Sequence, residues 1–129
     1  TNVGKVLQSN GSTSNISYSN VRSEVAVITS AAGAATVNLS LSDVFSHTMT
    51  ENTTYTFSNA GSTSVNTGFK LFLTNDGTGR TPTWPSSVIW PNGTEPTLTT
   101  ASQKNVLVFE TIDGGTVWYG ALAIGAAST

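Results

Sequence analysis

The sequence predicts an all-β fold: an antiparallel two-sheet sandwich or jelly-roll-like barrel with an extended N-terminal arm. Three observations lead there. From about residue 24 onward apolar and polar residues alternate at period two, as on strands with one buried face. Turn-forming residues interrupt that alternation about every 8–12 positions, the spacing of short strands in sandwiches and barrels. Thr, Ser and Asn supply 50 of the 129 residues, while only 9% are charged, against about 25% in an ordinary domain. Thr is comfortable on pleated surfaces, and Ser and Asn serve turns. Apolar residues make up 37% and occur in patterned strings, which separates the chain from disordered Ser/Thr-rich segments.

Each element follows in order. Val3 to Ser9, a turn at Asn10-Gly11-Ser12, and Ile16 to Val21 form a loose hairpin or an extended arm. Glu24 to Thr29 is a short β-branched string, ended by the small residues Ala31 to Ala35. The expected division is an arm over 1–30 and a β-sandwich domain over 31–129. In Thr36 to Leu41, Val37, Leu39 and Leu41 share one face. Phe45, His47 and Met49 continue the pattern, and Tyr55 and Phe57 point inward on the next strand. Phe69, Leu71 and Leu73 mark a strong strand, expected to end in a tight hairpin turn with positive φ at the glycines of Asn75-Asp76-Gly77-Thr78-Gly79. Four prolines between residues 80 and 103 predict short edge segments there. Asn105 to Ile112 and Thr116 to Leu122, joined by Asp113-Gly114-Gly115, form an antiparallel hairpin.

Composition also excludes function classes. The formal net charge is −2, and the five cations, Lys5, Arg22, Lys70, Arg80 and Lys104, are scattered singly. Nucleic acid is therefore not an expected partner, since binding it takes clustered cations. Nor is a membrane, because no apolar run approaches the ~20 residues of a spanning helix. Without cysteine there are no disulfides, thiolate metal sites or cysteine nucleophiles. A surface this poor in Lys and Glu has little electrostatic protection against association and suits a subunit of an assembly.

Few residues suggest chemistry. His47 is the one histidine, with Asp43 and Ser46 nearby in sequence. A serine hydrolase needs its histidine beside both partners, yet on a strand Ser46 and His47 point to opposite faces. The acidic residues Asp43, Asp76 and Asp113 fall at strand ends or turns, where Asp is common, so a glycosidase pair is not expected. The 75–79 loop lacks the later acidic ligands of a calcium loop and the Gly-Lys-Thr/Ser ending of a phosphate loop. Five N-x-S/T sequons, at Asn10, Asn15, Asn38, Asn52 and Asn92, are what an Asn-, Ser- and Thr-rich chain produces by chance. Neither a catalytic residue nor a cofactor or metal ligand is assigned. Trp84-Pro85 and Trp90-Pro91 admit two readings: rings that stack on a glycan, as in a carbohydrate-binding module, or rings that plug one end of the sandwich. The second is preferred, because large aromatics are usually buried.

Three pieces occur in one order: Val37-Asn38-Leu39-Ser40-Leu41-Ser42-Asp43-Val44-Phe45 through Tyr55-Thr56-Phe57-Ser58-Asn59; Thr83-Trp84-Pro85 to Trp90-Pro91-Asn92-Gly93; and Asp113-Gly114-Gly115-Thr116-Val117-Trp118-Tyr119-Gly120. Together they resemble a β-domain of tailed-bacteriophage structural proteins, including capsid decoration (cement) proteins and tail fibres. Gly4 to Ser12 also resembles a short motif of phage fibres. The resemblance implies a non-enzymatic virion protein that assembles into homotrimers and attaches to other virion proteins. A chain of this length beginning at Thr, as after removal of an initiator Met, suits a complete decoration protein bound to the major capsid protein on the outer capsid surface. A tail or head fibre domain is the second expectation. The arm is expected to contact the capsid through Val3, Val6, Leu7 and Ile16, apolar points in a polar stretch.

Overall fold

The computed structural model describes residues 5–8, 17–20 and 23–128. Its elements, in chain order, are β1 (Lys5–Gln8), β2 (Ser17–Asn20), β3 (Val25–Ile28), β4 (Ala34–Asn38), β5 (Val44–Met49), β6 (Thr53–Ser58), β7 (Thr63–Asn75), β8 (Pro82–Thr83), β9 (Val88–Ile89), a 3-10 turn at Pro91–Gly93, β10 (Lys104–Asp113) and β11 (Trp118–Ala127). No α-helix occurs among the described residues. A six-stranded sheet in the order β3-β5-β7-β10-β11-β9 packs against a three-stranded sheet, β4-β6-β8, as the predicted all-β sandwich requires. β1 and β2 pair antiparallel with each other, apart from both sheets. β3 lies in the span assigned to the arm and forms one edge of the large sheet.

Strand pairing departs from the antiparallel expectation over half the molecule. From β3 to β8 the chain alternates between the sheets, so each strand runs parallel to the one two before it. β3, β5 and β7 form one parallel ladder, and β4, β6 and β8 form the other. Crossing the core twice returns the chain in its original direction, which makes a coil of parallel rungs in place of hairpins. Antiparallel pairing takes over at β7-β10-β11, where the predicted 113–117 hairpin turn is found. Thr111 builds that turn by donating its hydroxyl to Asp113 Oδ1 (2.8 Å) and accepting from the Gly115 N–H (3.1 Å). Val117 N–H also donates to Asp113 Oδ1 at 3.0 Å.

Two local expectations need correction. The segment after β7 is no tight hairpin, and neither Gly77 nor Gly79 has a positive φ. The chain leaves the large sheet for β8, and Asp76 clasps the loop by accepting from Thr78 N–H and from Arg80 Nε and Nη2 at 2.8–3.0 Å. Gly79 is needed for close approach, because a Cβ there would strike the Thr99 carbonyl. Leu41 does not share the inward face of Val37. β4 ends at Asn38, whose side-chain oxygen accepts from Ser40 N–H, and Leu41 beyond that turn is 70% exposed.

The core lies between the sheets and is built on rings. Phe69 and Phe109 sit opposite each other on β7 and β10 and stack at 4.8 Å, with Phe57, Phe45 and Trp118 meeting Phe69 edge-on. Full burial of one such side chain is worth roughly 1.5–3 kcal/mol. The buried amide of Asn75 donates to the carbonyls of Leu98 (2.8 Å) and Thr100 (2.9 Å), tying the proline-rich segment to the end of β7.

Candidate assembly interface

The three-stranded sheet packs on one face of the six-stranded sheet, and among the described residues no strand pairs or packs over the other, bare face. Period-two alternation should make the bare face polar. In much of this sheet it does not. Nine of the ten large apolar side chains exposed among the described residues lie on strands of this sheet, and register puts six of them, Val25, Val27, Phe72, Ile89, Tyr119 and Ile124, on its uncovered face. Their neighbours in sequence point inward: Ile28 on β3, Leu71 and Leu73 on β7, Val88 on β9 and Trp118 on β11 are buried. Register carries the apolar positions across strands in one row, Val27 beside Ser46, then Phe72, Val106 and Ile124. A face with this many exposed apolar side chains, broken only by Ser46, Lys70 and Glu110 along these rows, marks an interaction site more often than a solvated one.

Two charges, Lys70 and Glu110, sit within this face, and with Asp43 they line a shallow cleft of about 430 Å³. No ion pair joins them among the described residues, where Arg80 with Asp76 is the pair present. Gly68 keeps room for the Glu110 carboxylate, which occupies the place a Cβ would take.

His47 is placed as a structural residue. It is buried at 3% exposure, and its Nδ1 lies 2.6 Å from Tyr55 Oη. Burial pushes the imidazole below its ordinary value, against a smaller upward pull from the Glu51 charge, while burial pushes the Tyr55 phenol up. Both groups are therefore held neutral. Ser46 points the other way along β5, as its parity predicts.

Trp84 is buried and stacks on Tyr55 at 4.8 Å with the planes 14° apart. That ring face is taken, which leaves it unavailable to a sugar. Trp90 is half-buried, edge-on to Trp84 at 5.9 Å and to Phe109 at 5.7 Å, so both indoles pack against the core. Of the arm residues singled out by sequence, Val3 and Ile16, and the side chains of Val6 and Leu7, lie outside the described residues.

Sequence reasoning missed the bare face, although a signal was present. In Val25-Ala26-Val27-Ile28 and Phe69-Lys70-Leu71-Phe72-Leu73, apolar residues occupy both parities. A strand with only one covered face should not do this. Comparison with models of known families, with curated proteins and with solved structures finds no match to this chain.

Proposed function

We propose that the protein is a non-enzymatic structural subunit of a virus particle, a small capsid decoration protein that binds the phage head as a homotrimer. The observation that carries the assembly half of this reading is the bare apolar face of the large sheet, on a chain with only 9% charged residues. The virion half rests on the resemblance of its three ordered sequence pieces to phage structural β-domains. The partners are then further copies of the chain and the major capsid protein, on the outer surface of the virion. A tail or head fibre domain is the same reading with a different attachment point.

The experiment locates the protein and its anchor together. Antibody-labelled electron microscopy of particles carrying this chain is expected to label heads. Label confined to tails would move the protein to the fibre, and unlabelled particles would end the virion reading. Deleting residues 1–22 leaves both main sheets whole, because β1 and β2 pair only with each other. The truncated protein is expected to keep its β-type circular dichroism and to lose binding to heads that lack the protein. Binding at full affinity would remove the arm as the anchor.

A further inference from the structure

The apolar row on the bare face begins and ends at open strand edges. It starts at Val27 on β3, an outermost strand, and ends at Ile124 on β11. β9 covers the far side of β11 only at Trp118 and Tyr119. From Gly120 onward that side of β11 has no strand partner among the described residues. Gly120 to Ile124 carries no charge, no proline and no polar side chain, and Leu122 and Ile124 are both exposed. Edges of this kind template pairing unless they are blunted by lysine, proline or shortness. The blunting device here is an irregularity at the end of the strand, where Ala126 takes a φ of 54°. It bounds the open stretch at about the length of the four-residue β3.

Strand directions fix how such edges meet. β3, β5 and β7 run one way, β10 runs against them, and β11 returns to the direction of β3. A rotation about an axis along the strands therefore brings β11 of one copy parallel to β3 of the next. Val27 and Ile124 share one row, so the rotation needs no shift along the axis, and rotation without translation closes a ring.

We propose that three copies form this ring, with Gly120–Ile124 of each β11 added as a parallel strand to β3 of the next copy and the bare faces turned to the axis. This deepens the homotrimer reading above and rests on it. Ile124 then extends the neighbour's apolar row beside Val27. Leu122 is aligned with buried Leu107 and so lies on the inner side of β11. It comes to the mouth of the cleft of about 320 Å³ between β3 and β4, which Ala26, Ile28, Ala35 and Phe45 line. Neither strand brings a charge into the contact.

Size favours three. At the level of the row, five strands make a side of about 24 Å, which holds each sheet about 7 Å from a threefold axis and about 12 Å from a fourfold one. Facing sheets pack about 10 Å apart, roughly 5 Å either side of their midplane. Three sides therefore bring Phe72 and its neighbours together, and four leave a hollow. A single edge contact falls short of the about 800 Å² per partner of a stable interface. The faces turned to the axis supply the remainder.

The chain lacks cysteine, which makes the contact testable by a new disulfide. Within one copy, positions 27 and 124 are four strand spacings apart, about 19 Å, far beyond the about 7 Å a disulfide spans. The double variant Val27→Cys, Ile124→Cys is expected to give, on oxidation, a reducible covalent trimer as its largest species on denaturing electrophoresis, absent from either single variant. Ile124→Lys is expected to drop the native mass to one-third with the circular dichroism unchanged. If the unaltered protein is a trimer by light scattering but the double variant stays uncrosslinked, or Ile124→Lys keeps the trimer mass, the edge contact is wrong and the homotrimer reading survives. A covalent ladder beyond three overturns the closed ring. A single-chain mass for the unaltered protein ends both.

Discussion

The two faces of the large sheet are made of similar residues and have different fates. On the inner face Phe45, Leu71, Leu107 and Phe109 are at most 1% exposed and sealed by the three-stranded sheet. On the outer face Val27, Phe72 and Ile124 are 76%, 45% and 53% exposed, with nothing over them among the described residues. Hydrophobicity alone does not distinguish them; cover does. In the homotrimer proposed above this becomes a division of labour, in which the inner face holds the subunit together and the outer face meets other copies. Substitutions inside should therefore unfold the protein, and substitutions outside should dissociate it.

The largest effect that sharpens this contrast is expected at Phe109, which stacks on Phe69 and meets Phe57 and Trp90 edge-on. Phe109→Ala should cost about 3–5 kcal/mol of stability, the range for emptying a large aromatic site, measured by denaturant unfolding. A loss below about 1 kcal/mol would mean the site collapses freely and the inner face is not the core.

A smaller effect is expected where polar groups support the inner face. Asn75→Ala leaves the buried carbonyl of Leu98 without its donor and releases Thr100. It should cost about 1–3 kcal/mol, the price of unsatisfied buried polar groups, and raise hydrogen exchange across residues 98–103. Unchanged exchange there would show that the proline-rich segment is held by other contacts.

His47 predicts a modest pH dependence. Its pKa is lowered in the folded state by burial, so the unfolded chain binds the proton more readily. Stability is thus full above the unfolded value of about 6.5 and falls as pH drops from there toward the folded value. Unfolding midpoints measured from pH 8 to 5 should decline on the acid side, and His47→Gln should flatten that slope. An equal slope in the variant would assign the decline to the carboxylates.

How much of this was legible in the sequence varies by face. The inward sets Phe45, His47, Met49 and Phe69, Leu71, Leu73 follow from parity, because one covered face imposes period two. The 113–117 turn follows from Asp113-Gly114-Gly115, where both glycines take positive φ. The parallel coil does not follow, since parallel and antiparallel strands share the same alternation. What separates them is whether a connection stays in one sheet or crosses the core, and the loop after Asn75 carries a hairpin-like Asp-Gly while crossing. Leu41 misled because its parity matches Val37 beyond the point where Asn38 ends the strand. The outer face was written in the apolar residues at both parities, but covered-on-both-sides and awaiting-a-partner look alike until the second sheet is seen to be three strands wide.

The smallest effect on stability is expected on the outer face, and it carries the central claim. Phe72→Lys removes an apolar contact from the middle of the row but empties no core site, so the folded subunit should change by within about 0.5 kcal/mol. Its consequence should appear in the mass. Multi-angle light scattering at micromolar concentration is predicted to give three times the 13.4 kDa of the chain for the unaltered protein, and 13.4 kDa for Phe72→Lys with the same circular dichroism. A mass of 13.4 kDa for the unaltered protein, or an unchanged trimer mass for Phe72→Lys, would contradict the account of this face as the surface on which the protein assembles.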